Sequence, residues 1–251
     1  KGNERENMIF QTLDDKSECV GIYHDGDLMF DSDQFPEGLS CTWKYTPALR
    51  DWDGIRFANL YLEGAPLSEH LPEYLLDDWA DVQNRLASFL RSLSIAQVDL
   101  RDHCIYDVTP SRFLKEFGRV RNSMTQYVLQ NIEEPPRYSY LEKVCRLLSD
   151  IKERPLKINK KRLASYSAVS KNKPILKQLK AKESFIDYNQ FGTKTGRLTT
   201  SGHSFPLLTL RKDLRSIVEP TNDFYVELDF NGAEVRVLMG LLGLKQPDVD
   251  V

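Results

Sequence analysis

The sequence predicts an α+β chain. Three observations carry that reading: short apolar runs broken by turn residues at the front, three long stripes of 3.6-residue period in the middle, and an apolar run, a tight turn and a helical pattern near the end. The division that follows is a β-rich unit over 1–107, a helical and basic unit over 108–184, and a last unit over 185–251. At 251 residues and 41% apolar, the chain can bury a core without disulfide or metal support.

The front runs are Met8 to Leu13, Glu18 to His24 and Asp27 to Phe30. Asp14-Asp15-Lys16-Ser17 and Asp25-Gly26 separate them, and both favour turns, so a three-stranded meander is expected. Cys41 to Tyr45 and Arg56 to Leu62 read as two further strands. A helix follows Pro72, with Leu75, Leu76, Trp79, Val82, Leu86, Phe89, Leu90 and Leu93 on one face. A second starts at Thr109-Pro110-Ser111 and carries Phe113, Leu114, Phe117, Val120, Met124, Tyr127 and Val128. A third runs from about Ser139 to Glu153, with Leu141, Val144, Leu147, Leu148 and Ile151 inward.

Charge is unevenly spread. Lys152 to Arg215 holds 16 Lys and Arg against 4 Asp and Glu, a balance of +12, so the other residues carry −15 of the net −3. Such a block reads either as a surface facing a polyanion or as a solvated lysine face. Short helices with Lys171, Lys173 and Lys177 outward are expected there.

The last unit carries the chemistry. Phe224 to Leu228 has strand composition and ends at Asp229; Phe230-Asn231-Gly232 turns the chain, and Ala233 to Leu242 reads as a helix. A carboxylate at a strand end suits a hard divalent cation such as Mg²⁺. Glu234 falls in the first helical turn, where negative charge is favoured. Taken alone, the same two residues also read as a turn cap and a helix-end charge.

Asp229-Phe230-Asn231-Gly232-Ala233-Glu234-Val235-Arg236-Val237-Leu238 resembles motif A of family A (DNA polymerase I-like) DNA polymerases, D-Y-S-Q-I-E-L-R-x-L. The Asp, the aromatic after it, the Glu five on and the Arg seven on match; Asn231 and Gly232 depart. Upstream, Thr195-Gly196-Arg197-Leu198-Thr199-Thr200 is similar to that family's T-G-R-L-S-S. The family's next segment, P-N-L-Q-N-I-P, is replaced by Phe205-Pro206-Leu207-Leu208-Thr209, which lacks the Asn and Gln that read the minor groove. The resemblance covers roughly 185–244.

It implies catalytic roles for Asp229 and Glu234. Asp229 and the carbonyl of Phe230 would touch Mg²⁺, and Glu234 would crowd the sugar against ribonucleotides. Thr195, Arg197, Thr199, Arg211 and Arg215 would contact nucleic acid, and Lys171, Lys173 and Lys177 would grip phosphates from a thumb-like region. The partners implied are primer-template DNA, a deoxynucleoside triphosphate and the remaining palm and fingers, in the same chain or a second subunit. The family's second metal-binding carboxylate lies in an H-D-E motif, and no such tripeptide occurs here. The implied activity is template-directed DNA synthesis by two-metal nucleotidyl transfer; the alternative is a non-catalytic protein that binds primer-template DNA. The compact front points to a phage-type member, working in the cytoplasm of its host.

Other chemistries find no pattern. The front lacks the Asp-x-Glu that a proofreading exonuclease needs, so a degenerate or unrelated domain is expected there. Cys19, Cys41, Cys104 and Cys145 form no C-x-x-C pair and read as free thiols. His24, His70, His103 and His203 share no metal spacing. No apolar run is long enough for a spanning helix, and no secretion signal opens the sequence.

Overall fold

The computed structural model describes residues 7–16, 20–100, 102–167, 179 and 184–246. It is an α+β arrangement of small sheets and helices.

The front forms two small sheets. Strands β1 (Met8–Ile9) and β2 (Gln11–Thr12) follow each other, then β3 (Ile22–His24) and β4 (Asp27–Met29). The order β2-β3-β4 is the expected antiparallel meander. His24 pairs with Asp27, and Asp25 and Gly26 between them both take positive φ, at 46° and 93°. A two-residue hairpin needs that left-handed geometry to match the strand twist. Asp14 in the preceding turn is buried, its carboxylate accepting from the Lys16 amide at 3.3 Å and the Ala48 amide at 3.0 Å.

The second sheet joins distant residues in parallel. Strand β5 (Leu39–Thr42) lies between β1 and β6 (Arg56–Phe57). The strand expected over Arg56 to Leu62 stops after two residues and becomes helix α1 (Ala58–Tyr61). The Asn59 amide donates to the Trp43 carbonyl at 2.8 Å, so the chain bends into a helical turn where the ladder would have continued.

Three long helices cover these sheets: α2 (Glu73–Ile95), α3 (Ser111–Asn131) and α4 (Tyr138–Lys152). Pro72 and Pro110 sit at the N-caps of the first two, where a missing N–H breaks no intrahelical bond. Helix α3 is central, touching α2 on one side and β1 to β5 on the other. It approaches β3 at Gly118, where an added Cβ would lie 2.2 Å from Cγ of Tyr23. On α4, Tyr138, Leu141 and Leu148 are buried, while Leu147, expected inward, is 57% exposed.

One apolar core runs from Phe10 through Trp43, Phe57, Trp79 and Phe117 to Leu141. The boundary expected at 107/108 falls inside it. Burying that much apolar and aromatic surface is the main favourable term holding the sheets to the helices.

A second, smaller core gathers Leu179, Phe205, Leu210, Leu214 and Ile217. Strand β7 (Lys157–Ile158) and helix α5 (Lys160–Ser167) enter it from one side of the sequence. A hairpin of β8 (Tyr188–Asn189) and β9 (Thr199–Thr200) follows, then β10 (Val218–Glu219), which pairs antiparallel with β7. That pairing spans the boundary expected at 184/185. Helix α6 (Ala233–Leu241) ends the described chain as expected.

The strand expected over Phe224 to Leu228 is not formed: those residues pair with nothing in a sheet. All of 221–230 is exposed, with Leu228 at 90% and Phe230 at 85%. A strand exists through its ladder, and the described residues supply no neighbour for this one. Helix α6 likewise buries none of its residues: on the apolar side expected at Val235, Leu238, Met239 and Leu242, Met239 is partly covered and the other three are exposed.

Candidate functional site

The Gly-Arg turn is built by the β8–β9 hairpin. Tyr188 pairs with Thr200 and Asn189 with Thr199, which brings 190–198 out as a loop. Two contacts tie its base to the main core: Gln190 Nε2 donates to the Leu141 carbonyl at 3.0 Å, and Phe191 packs against the core. Gly64 makes room for Phe191, since a Cβ there would lie 2.3 Å from the Phe191 Cβ. Gly192 does the same for Thr199, whose Oγ1 would sit 1.8 Å from an added Cβ.

Within the loop, Thr193 Oγ1 donates to the Arg197 carbonyl at 2.9 Å, and the Gly196 amide donates to the Thr193 carbonyl at 3.3 Å. Gly196 has φ +76° and open space around it, so its left-handed backbone, not crowding, requires glycine. Thr195 Oγ1 is 3.3 Å from Thr193 Oγ1. The result is an exposed loop whose hydroxyls and Arg197 face solvent on a fixed base.

Arg197 reaches across to the second motif. Its Nη2 lies 3.1 Å from Oε1 of Glu234, in the first turn of α6. The two side chains are 78% and 81% exposed, so the pair is screened and contributes little net stability. It marks where two segments 37 residues apart in sequence come close to each other. Gly232 starts α6 in the left-handed region, at φ 56° and ψ 42°, and Arg236 Nε donates to the Asn231 carbonyl at 2.7 Å. These contacts shape the turn that follows Asp229.

Asp229 and Phe230 stand exposed before that turn. Mg²⁺ prefers octahedral oxygen coordination, with one or two carboxylates and the rest from water or phosphate. Among the described residues, no three His, Cys, Asp or Glu side chains converge on a point that could hold a metal ion. One carboxylate and a neighbouring carbonyl are part of a coordination shell, so the residues described here do not make a complete Mg²⁺ site.

The expected phosphate contacts are mixed. Arg211 directs Nε and Nη2 onto Asp213, at 3.1 and 2.6 Å, so a phosphate would compete with that carboxylate. Arg215 is exposed and donates from Nε to the Leu210 carbonyl at 3.1 Å. Thr199 lies in β9, opposite Asn189. Lys171, Lys173 and Lys177 lie outside the described residues.

Spacing rules did not single out the group that fixes the hairpin's other flank. Asp187 accepts from Ser201 Oγ at 3.1 Å and from Lys152 Nζ at 3.1 Å, while Ser204 Oγ accepts from the Asp187 amide at 2.9 Å. The signal available in the sequence was one of four acids in a basic block, with Ser201 and Ser204 further on.

No helix among the described residues is long and apolar enough to cross a membrane. Comparison with family models, with curated proteins and with solved structures found no match for this chain.

Proposed function

We propose that this chain is part of a family A DNA polymerase and contributes to template-directed DNA synthesis by two-metal nucleotidyl transfer. The observation that carries the reading is the Arg197–Glu234 contact at 3.1 Å. The two segments that resemble the family's motifs are far apart in sequence, yet their charged side chains meet on one exposed face, beside the turn that follows Asp229. That neighbourhood is what the reading requires of the two segments.

In this reading the chain's own share is to hold primer-template DNA and to present one carboxylate, Asp229, to an active site that further residues complete. Arg197, Thr195 and Thr199 lie along the hairpin, where donors can meet phosphate oxygens and minor-groove acceptors. In the same reading Glu234, which pairs with Arg197, crowds the sugar against ribonucleotides. The second carboxylate and the nucleotide-binding residues come from the remaining palm and fingers.

The test has two parts. Fluorescence anisotropy should show salt-sensitive binding of primer-template DNA by this chain, and Arg197→Ala should lower the slope of log K against log salt by about 1. When the chain is joined to or mixed with the remaining palm and fingers, primer extension should appear, and Asp229→Ala should abolish it with DNA binding near wild type. Full-rate extension by the Asp229→Ala protein would overturn the assignment. DNA binding that no complementing half converts to extension would favour the non-catalytic primer-template binder.

A further inference from the structure

The loop over 190–198 hangs on a hairpin with two paired positions, Tyr188 with Thr200 and Asn189 with Thr199. A two-stranded ribbon that short does not hold itself in water. The ion pair from Arg197 to Glu234 is exposed and screened, so it adds little. What fixes the loop is the main core beneath its base.

Phe191 leaves the hairpin and packs against that core. The surface that receives it is shaped for it. Gly64 lies in the turn after α1, and a Cβ there would fall 2.3 Å from Cβ and 2.8 Å from Cγ of Phe191. Gly64 has φ 81° and Glu63 before it has φ 43°, so both residues of the turn are left-handed. Glu63 accepts from Arg137 Nη2 at 3.0 Å, which ties the turn to the N-cap of α4. Beside Phe191, Gln190 Nε2 donates to the Leu141 carbonyl of the same helix at 3.0 Å. The Phe191 amide donates to Asn189 Oδ1 at 2.9 Å, which closes the loop's base. From there the constraint runs on to Arg197. Gly192 lies hard against Thr199, and Thr193 Oγ1 donates to the Arg197 carbonyl at 2.9 Å.

We infer that Phe191, seated on Gly64, is a positioning residue for Arg197, and that the main core is the platform that presents Arg197 to nucleic acid. The inference rests on the DNA-binding role proposed above for this loop. It gives the front sheets and long helices a share in DNA binding, although they carry none of the motif residues. A loop freed from its seat makes the same phosphate contact only by giving up backbone and side-chain freedom at the moment of binding.

The test measures binding of primer-template DNA by the whole chain, using fluorescence anisotropy at fixed salt. Phe191→Ala should weaken binding about tenfold, the cost of ordering a residue or so on binding. In an Arg197→Ala background the same substitution should have no further effect, because Phe191 acts through Arg197. A merely structural role would lower stability in both backgrounds and show no such coupling. Phe191→Leu, which keeps an apolar side chain for the seat, should restore most of the affinity. Gln190→Ala removes a hydrogen bond and no core contact; it should weaken binding in the same Arg197-dependent way, and it keeps the test valid if Phe191→Ala fails to fold. A folded Phe191→Ala that binds like wild type overturns the inference, as does a Gln190→Ala that does so when Phe191→Ala does not fold. Equal losses with and without Arg197 overturn it too. Each of these results leaves the DNA-binding reading in place, whereas a wild-type chain that does not bind primer-template DNA overturns both.

Discussion

Tyr138 shows how one hydroxyl can hold two elements. Its Oη accepts from the buried Phe57 amide at 2.7 Å, joining the start of α4 to the end of β6. Tyr138→Phe would leave that N–H without a partner, at a cost of about 1–3 kcal/mol, read as a lower urea midpoint at unchanged slope. Burial also raises the Tyr138 pKa above its ordinary value. The folded state therefore keeps a proton that the unfolded chain gives up above about pH 10. Stability from this group is complete below that pH and is lost as pH rises through the folded pKa. Replacing Tyr138 with Phe should make the alkaline fall shallower, as followed by denaturation between pH 9 and pH 11. Residues of this kind were hard to foresee. The stripe expected for the third helix began at Ser139 and left Tyr138 out, because a phenol at a helix start gives no periodic signal.

At the scale of elements, the contact of α3 with β3 rests on the absence of a side chain at Gly118. A methyl there would overlap the Tyr23 ring, so Gly118→Ala should destabilise by about 1–3 kcal/mol, even though alanine favours helix. Chemical denaturation measures the loss, and a gain in stability would mean that α3 can shift off the sheet. The helices were legible in the sequence because each carries a sustained 3.6-residue stripe: Phe113, Phe117, Val120, Met124 and Val128 are all buried. The meander was legible because Asp25-Gly26 prescribes its turn. The parallel set β1-β5-β6 was not, since its partners lie far apart in sequence and no turn announces them. At the site, Asp229, Arg197 and Glu234 could be named from motif spacing. The contact between Arg197 and Glu234 could not, because it depends on how the β8–β9 hairpin meets α6.

For the whole molecule, apolar character is unevenly placed. The main core seals Phe10, Phe57 and Phe113 from water, while Phe224, Val226, Leu228 and Phe230 lie open in one short run. Runs of this kind in soluble folds mark surfaces of contact. Their hydration also has a thermal signature. The tendency of oily groups to leave water strengthens on warming from the cold, whereas ion pairing between molecules shows no such gain. A dilute sample should therefore turn cloudy on gentle heating, before the helices melt, and clear again on chilling. Leu228→Lys should delay that haze to a higher temperature. Light scattering recorded beside circular dichroism checks both, and haze that appears only as the helices melt would point to the interior instead. The same stickiness would act inside a cell, where any copy left without company would draw the attention of chaperones.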